Sequence, residues 1–276
     1  MSAEFLPTLD ILEPDQQNRL TVLLRLLLLI PQFVVVWVLS VVAFFVAVIG
    51  WFGALVLGRL PDFAATYLAG YLGYDTRVSA YAMLTLDRYP PFGFDTPQYP
   101  ARIGLKPGPL NRAAVFFRLI LAVPAMIIQG VLVTGWWSVS FISWLVVLVL
   151  GRMPRPLFEA TAAIVRYRMR FQAYLLMLSS AYPKGLFGDD ESVLLGTAVP
   201  GAATTGAPGT VGGAGAASAT RPLVLSGAGR GLLVAFILLG LLASTTSSLT
   251  SAFTSDDDDT ARATGPLAPG PGPARR

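Results

Sequence analysis

The side chains able to do chemistry in this chain are mainly arginines and tyrosines. None of its 276 residues is histidine or cysteine, which removes imidazole bases and ligands, thiolate nucleophiles and zinc sites together. The arginines come in matched sets. Arg25 and Arg118 precede two long uncharged stretches, Leu26 to Gly58 and Leu119 to Gly151, and Arg59 and Arg152 follow them. Arg77 has Tyr74 three residues before it and Tyr81 four after, and Arg170 stands in the same way between Tyr167 and Tyr174. Those spacings put each trio on one helix face. Guanidinium is a planar fork suited to phosphate oxygens, so Arg25, Arg59, Arg77, Tyr81, Arg118, Arg152, Arg170 and Tyr174 are the candidate lipid-headgroup contacts. The competing reading is that such residues anchor helices at the membrane interface by snorkelling.

Catalytic, metal and cofactor sites find no support. The Gly-rich segment has no lysine and so no phosphate-binding loop. The Asp256 to Asp259 run lacks the spaced ligands and turn glycine of a calcium loop. The reading is therefore not an enzyme, with no metal and no cofactor.

The elements that must position these residues are set by composition. With 54% hydrophobic and 13% charged residues, the solvent for much of the chain is lipid. The net charge of +4 reads as membrane topology rather than nucleic-acid binding, because the basic residues cluster beside apolar spans. An acidic N-terminus without a basic n-region or small-residue cleavage site is expected to stay uncleaved and cytoplasmic.

The two uncharged stretches are the middle of an ungapped repeat at an offset of 93 residues (111 − 18), pairing Asn18 with Asn111, Arg25 with Arg118, Pro31 with Pro124, Trp51 with Trp144 and Tyr89-Pro90 with Tyr182-Pro183. The domains are then residues 1–95 and 96–188 as membrane repeats, 189–222 as a flexible Gly/Ala-rich linker, 223–253 as a C-terminal transmembrane helix, and 254–276 as a disordered acidic and Pro/Gly-rich tail.

A 33-residue stretch is about 50 Å long as one helix, against a hydrocarbon core of about 30 Å. It must tilt steeply or turn back. If each turns back, near Ser40 and near Thr134-Gly135, 17 of the 20 basic residues fall on the cytoplasmic side; if each crosses once the division is 10 against 10. The positive-inside rule favours the first. The expected architecture is an all-α integral membrane protein of two repeats. Each is a transmembrane helical hairpin plus an interfacial amphipathic helix, at 62–86 and 155–179, followed by a C-terminal transmembrane helix. The alternative for 62–86 and 155–179 is a third span shielded inside the bundle. Alternation at Tyr99, Ala101, Ile103 and Leu105 suggests short strands before the hairpins. Gly227 and Gly231 form a small-xxx-small pattern that would serve helix packing.

The run Arg25, Pro31, Trp51, Gly58-Arg59-x-Pro61, Arg77, Tyr81 and Tyr89 to Phe92, repeated more weakly in the second copy, resembles the domain-of-unknown-function 4389 family of prokaryotic membrane proteins. The resemblance implies a repeated membrane unit and brings no activity or site residue with it.

Three equivalent positions carry opposite charge: Glu13 and Lys106, Asp62 and Arg155, Asp75 and Arg168. Opposite signs at equivalent positions would let the copies pair with each other. The hypothesis is an intramolecular pseudo-dimer held partly by Asp62 with Arg155 or Asp75 with Arg168; independent drift of solvated charges is the competing account. The functional expectation is a non-enzymatic scaffold or accessory subunit of a prokaryotic cytoplasmic membrane, N-terminus inside and C-terminus outside. Its expected partners are membrane lipids, anionic ones included, and an unknown protein, but no nucleic acid. The alternative is a small transporter or channel built from tandem repeats, with a lipid-acting enzyme third.

Overall fold

The computed structural model describes residues 6–12, 16–96, 98–106, 108–188 and 223–263. The order is β1 (Thr8–Ile11), α1 (Arg19–Leu57), α2 (Asp62–Ala82), β2 (Ala101–Gly104), α3 (Arg112–Phe116), α4 (Arg118–Leu150), α5 (Arg155–Leu175) and α6 (Gly227–Ala263). The chain is a mostly helical membrane protein of two tandem copies, with the short strands expected ahead of each copy.

Each uncharged stretch lies within a single helix, so the turns expected at Ser40 and at Thr134-Gly135 are corrected. Asn18 caps α1 by accepting from the Leu20 N–H, and Asn111 caps α3 in the same way through Ala113. Gly58 and Gly151 end α1 and α4 in the left-handed conformation, φ 70° and 66°, which favours glycine. From Arg19 to Leu57 and from Arg118 to Leu150 the chain stays helical. Ser40 bonds the Trp37 carbonyl, and Ser138 and Ser140 bond those of Thr134 and Trp137, so hydroxyls that could mark a turn are satisfied on the preceding helical turn. Pro31 and Pro124 lie inside α1 and α4 without ending them.

A hairpin does exist in each copy, but it turns at Gly58–Pro61 and at Gly151–Pro154. α2 runs back along α1, with Tyr67, Tyr74 and Tyr81 meeting Leu39, Gln32 and Arg25 in turn. The seven-residue steps run in opposite senses on the two helices, as antiparallel helices packed along a seam require. α2 and α5 are packed inside the protein instead of lying free as single amphipathic helices. Both are buried over most of their length, because their central charges find partners in the protein instead of water.

The two copies are related by a pseudo-twofold axis. β1 and β2 pair antiparallel with Thr8 opposite Gly104, Leu9 opposite Ile103, Asp10 opposite Arg102 and Ile11 opposite Ala101, so each strand meets its own equivalent read backwards. The Trp51 indole donates to the Val115 carbonyl at 3.0 Å and the Trp144 indole to that of Val22 at 2.8 Å. The Leu110 N–H bonds the Gly58 carbonyl and the Gln17 N–H bonds that of Gly151, both at 2.8 Å. The start of α1 thus meets the end of α4, and the end of α1 meets the α3–α4 start. The two long helices run antiparallel, perpendicular to the axis.

Along that axis the molecule has three layers. The strands touch α2 and α5 and neither α1 nor α4; α2 and α5 touch each other; α1 and α4 lie beyond them. α1 buries one stripe, Val22, Arg25, Leu29, Gln32, Ala43, Gly50 and Ala54. Its opposite face, including Leu20, Leu27, Val34, Val41 and Val48, is exposed and wholly apolar.

α6 packs on α4 and α5 of the second copy. A Cβ at Gly135 would overlap the Phe236 carbonyl, and one at Gly240 the Val131 carbonyl, so these glycines let two helix backbones touch. Gly227 and Gly231 have nothing against them, and the packing face expected there is at Gly240 instead. α6 continues to Ala263, past the expected end of the helix at 253. The expected linker at 189–222 and the tail beyond 263 lie outside the described residues. By length and composition α1, α4 and residues 227–246 of α6 could each cross a membrane.

Candidate functional site

The eight headgroup candidates divide by burial. Arg25 is 2% exposed; it donates to the Tyr81 carbonyl at 2.9 Å and to Gln17 at 3.3 Å, pairs with Asp87 at 3.4 Å, and lies over the Tyr81 ring. Arg118 repeats this against the Tyr174 ring and the Ser179 carbonyl, and Ser180 stands at the position equivalent to Asp87, so it has no matching carboxylate. These arginines join the first helix of each hairpin to the end of the second. Tyr81 and Tyr174 serve as their covers.

Arg77 and Arg170 are also buried. Arg77 donates to the carbonyls of Gly93 and Phe94 and to the Thr96 hydroxyl. Arg170 donates to the carbonyls of Pro7 and Lys184 at 3.0 and 2.7 Å. Each clamps the loop that follows its own hairpin, or the segment ahead of β1, onto the middle layer. Burial lowers the Arg77 pKa, with Tyr99, Tyr74 and Asp95 acting in the opposite sense. The tyrosines flanking Arg77 face α1 instead of joining it in one site: Tyr74 donates to Gln32 and Tyr81 covers Arg25. In the second copy Ala125 replaces Gln32, and the Tyr167 hydroxyl is buried with no hydrogen-bond partner among the described residues.

Arg59 and Arg152 are the exposed pair. They sit just beyond the C-termini of α1 and α4, Arg59 within 3.2 Å of Asp62. Each is joined by an exposed arginine from the other copy that sequence spacing did not single out. The Arg112 guanidinium lies against Gly58, and that of Arg19 lies against Gly151 and donates to the Val149 carbonyl at 3.1 Å. A cation bonded to the last carbonyls of a helix is favoured by their partial negative charge. Two arginines thus stand at each end of the α1–α4 pair. The signal that could have found Arg19 and Arg112 is that they are equivalent positions beside the Asn caps.

On the axis, Arg168 donates to both carboxylate oxygens of Asp75 at 3.1 Å. Asp75 is 5% exposed and Arg168 29%. Because 168 − 75 equals the repeat offset, equivalent positions of the two copies touch here. Tyr71 stands one turn away, and burial, with a further push from Asp75 and a smaller opposing one from Arg168, raises its pKa to about 12. Asp62 and Arg155 do not form the second pair: Asp62 meets Arg59 and Arg155 meets Glu159, each at 3.2 Å on its own side of the molecule. Glu159 also accepts from the Ser226 N–H and hydroxyl at 2.8 and 2.6 Å, tying α5 to the start of α6. Burial alone would raise the Glu159 pKa, but the bonds from Ser226 and Arg155 outweigh it and hold it below the ordinary 4.5.

Among the described residues no cluster of three acidic or other metal-ligating side chains occurs. A cavity of about 240 Å³ between the copies is lined by Leu29 and Phe33 of α1 and Trp136, Trp137 and Trp144 of α4, and is almost wholly apolar. No curated protein and no solved structure matches the chain. A family described as Domain of unknown function (DUF4389) matches twice, over residues 19–93 and 112–186. Those two segments are the hairpins with their buried arginines, they cover more than half of the chain, and the protein belongs to that family.

Proposed function

We propose that the protein is a non-enzymatic scaffold or accessory subunit of the cytoplasmic membrane, immersed in lipid through its α1–α4 layer and contacting anionic headgroups through Arg19, Arg59, Arg112 and Arg152. The observation that carries this reading is the polarity of the three layers. One end of the pseudo-twofold is an apolar face two helices wide; the other is a sheet bearing Asp10 and Arg102. Lipid suits the first face and water the second. The axis then stands along the membrane normal and α1 and α4 lie along the membrane. Each helix alone is apolar nearly all round, but α2 and α5 cover its inner side, so the two-layer body is amphipathic as a whole. Both copies face the same way, which keeps Arg59 through Arg118 with the cytoplasmic basic residues. The cavity that takes residues from both copies is apolar, which favours this reading over a transporter.

The chain has no cysteine, so single cysteines report cleanly. In intact cells, Gln16→Cys and Arg59→Cys mark the two ends of α1. The expected result is that a membrane-impermeant maleimide labels neither until the cells are opened. Labelling of one from outside would mean that α1 crosses, and the reading would fall.

A further inference from the structure

We infer that the first copy holds a binding site for a small organic oxyanion, a phosphate ester or carboxylate with a short apolar body, in the cavity between α2 and β2. The cavity is an open cleft of about 540 Å³, within the roughly 300–1,000 Å³ of small-molecule sites. All of its lining comes from residues 9–105.

The internal repeat shows how the space arises. Gly73 lines the cavity, and a Cβ placed there would meet Ile103 of β2 at an ordinary 3.5 Å. The equivalent position in the second copy is Arg166, 2% exposed, which donates to the Gly185 carbonyl at 2.9 Å. Ile103 lies opposite Leu9 in the ladder, and both line the cavity. The second copy therefore fills this position with a buried guanidinium, and the first leaves room for a group of that size. Charge stands only at the edge of the space: Arg102 and Asp95 are exposed lining residues, and Arg102 lies opposite Asp10 across the strands.

The sign of the ligand follows from what remains. Arg77 lies in the wall, its terminal nitrogens fixed by the 93–96 loop and its Nε without a partner. The Arg102 guanidinium makes no hydrogen bond or ion pair with a described residue. Among the residues lining the cavity, two guanidiniums stand against the single carboxylate of Asp95, with Asp10 across the strands from Arg102 and outside the lining; that lining favours an anion, and guanidinium prefers an oxyanion that accepts two parallel bonds. Ile103, Leu105 and Ala69 supply the apolar wall for the rest of the molecule. This site lies on the sheet side of α2 and does not depend on the lipid-facing role of α1 and α4.

The test is thermal unfolding of the full chain in neutral detergent with butyl phosphate, and with inorganic phosphate as the probe lacking an apolar body. Butyl phosphate is expected to raise the midpoint saturably and inorganic phosphate to do so more weakly. Arg102→Gln should weaken the apparent affinity about tenfold, the loss of one charge-assisted hydrogen bond. Gly73→Leu fills the space with a neutral side chain at a position whose counterpart carries an arginine, and should abolish the shift while the ligand-free midpoint stays near that of the parent. Phospholipid that co-purifies with the parent, is displaced by butyl phosphate and is lost from both variants would identify the oxyanion as a headgroup. A parent chain that neither responds to butyl phosphate nor carries such a lipid overturns the site, as does an equal response in both variants. If Gly73→Leu does not fold, Arg102→Gln alone decides, since its side chain is exposed and bonded to no described residue.

Discussion

At the residue scale, the Asp75–Arg168 pair joins equivalent positions of the two copies by a direct ion pair. Removing one partner of a mostly buried pair leaves the other without compensation, at a cost of about 3 kcal/mol. Asp75→Ala should therefore lower the unfolding midpoint clearly. Exchanging the charges, Asp75→Arg with Arg168→Asp, puts the same pair back in mirror position about the axis and should recover most of the loss; either reversal alone should cost more than the exchange. An exchange no better than its worse single variant would show that the pair contributes nothing across the axis. Glu159 adds a pH dependence of known sign. Its pKa is depressed in the folded chain, so its contribution is present above the ordinary carboxylate value and is lost as pH falls below about 4.5 through the folded value. Proteolysis between α5 and α6 should rise over that acid window in the parent chain, and Glu159→Gln should flatten the response. An unchanged response in the variant would place the acid sensitivity elsewhere.

At the element scale, the contact of α6 with α4 depends on two glycines. Gly135→Leu would drive a side chain into the Phe236 backbone, so α6 should leave α4 while both hairpins, which do not involve this face, stay folded. Protease release of the C-terminal segment with an unchanged helical signal is the expected outcome; a segment as resistant as the parent's would mean that the backbones are not in contact. The same glycine shows what the sequence could and could not reveal. A glycine in the middle of an apolar run reads equally as a turn or as a close helix approach, and only the partner decides. Gly240 was that partner, some hundred residues away, and no local signal joins the two. The repeat, the strands and the final apolar helix were legible because each is local or periodic. The hairpin was legible as a motif but not in place, because hydropathy gives the length of an apolar helix and is blind to a polar second arm. α2 looked like an interface helix for the same reason: Asp75 and Arg77 argue for water unless their partners, Arg168 and the 93–96 loop, are known.

At the scale of the whole molecule, the reversal of charge between equivalent positions pointed to a pairing of the copies but left its geometry open. The antiparallel pairing of β1 with β2 fits a twofold, with the strands one residue out of the repeat register: Leu9 is buried and Arg102, its equivalent at the repeat offset, is exposed. The Trp51 and Trp144 bonds obey the same symmetry at the far ends of the long helices, so the relation extends over the whole body. A symmetric contact of this kind can close within one chain or, by exchange of a copy, between two chains. The loop between the copies is short enough for each Asn cap to meet the opposite Gly cap within one chain, and the expectation is closure within the chain. Asp10→Cys with Arg102→Cys places two thiols opposite each other across the strands, at a separation of about 4.5–5.5 Å between Cα atoms that a disulfide can span. Oxidation of the purified double variant should give a faster-migrating monomer on a non-reducing gel at every protein concentration. Disulfide-linked dimers that persist on dilution before oxidation would mean that the copies pair between chains, and the pseudo-dimer would then be a true dimer.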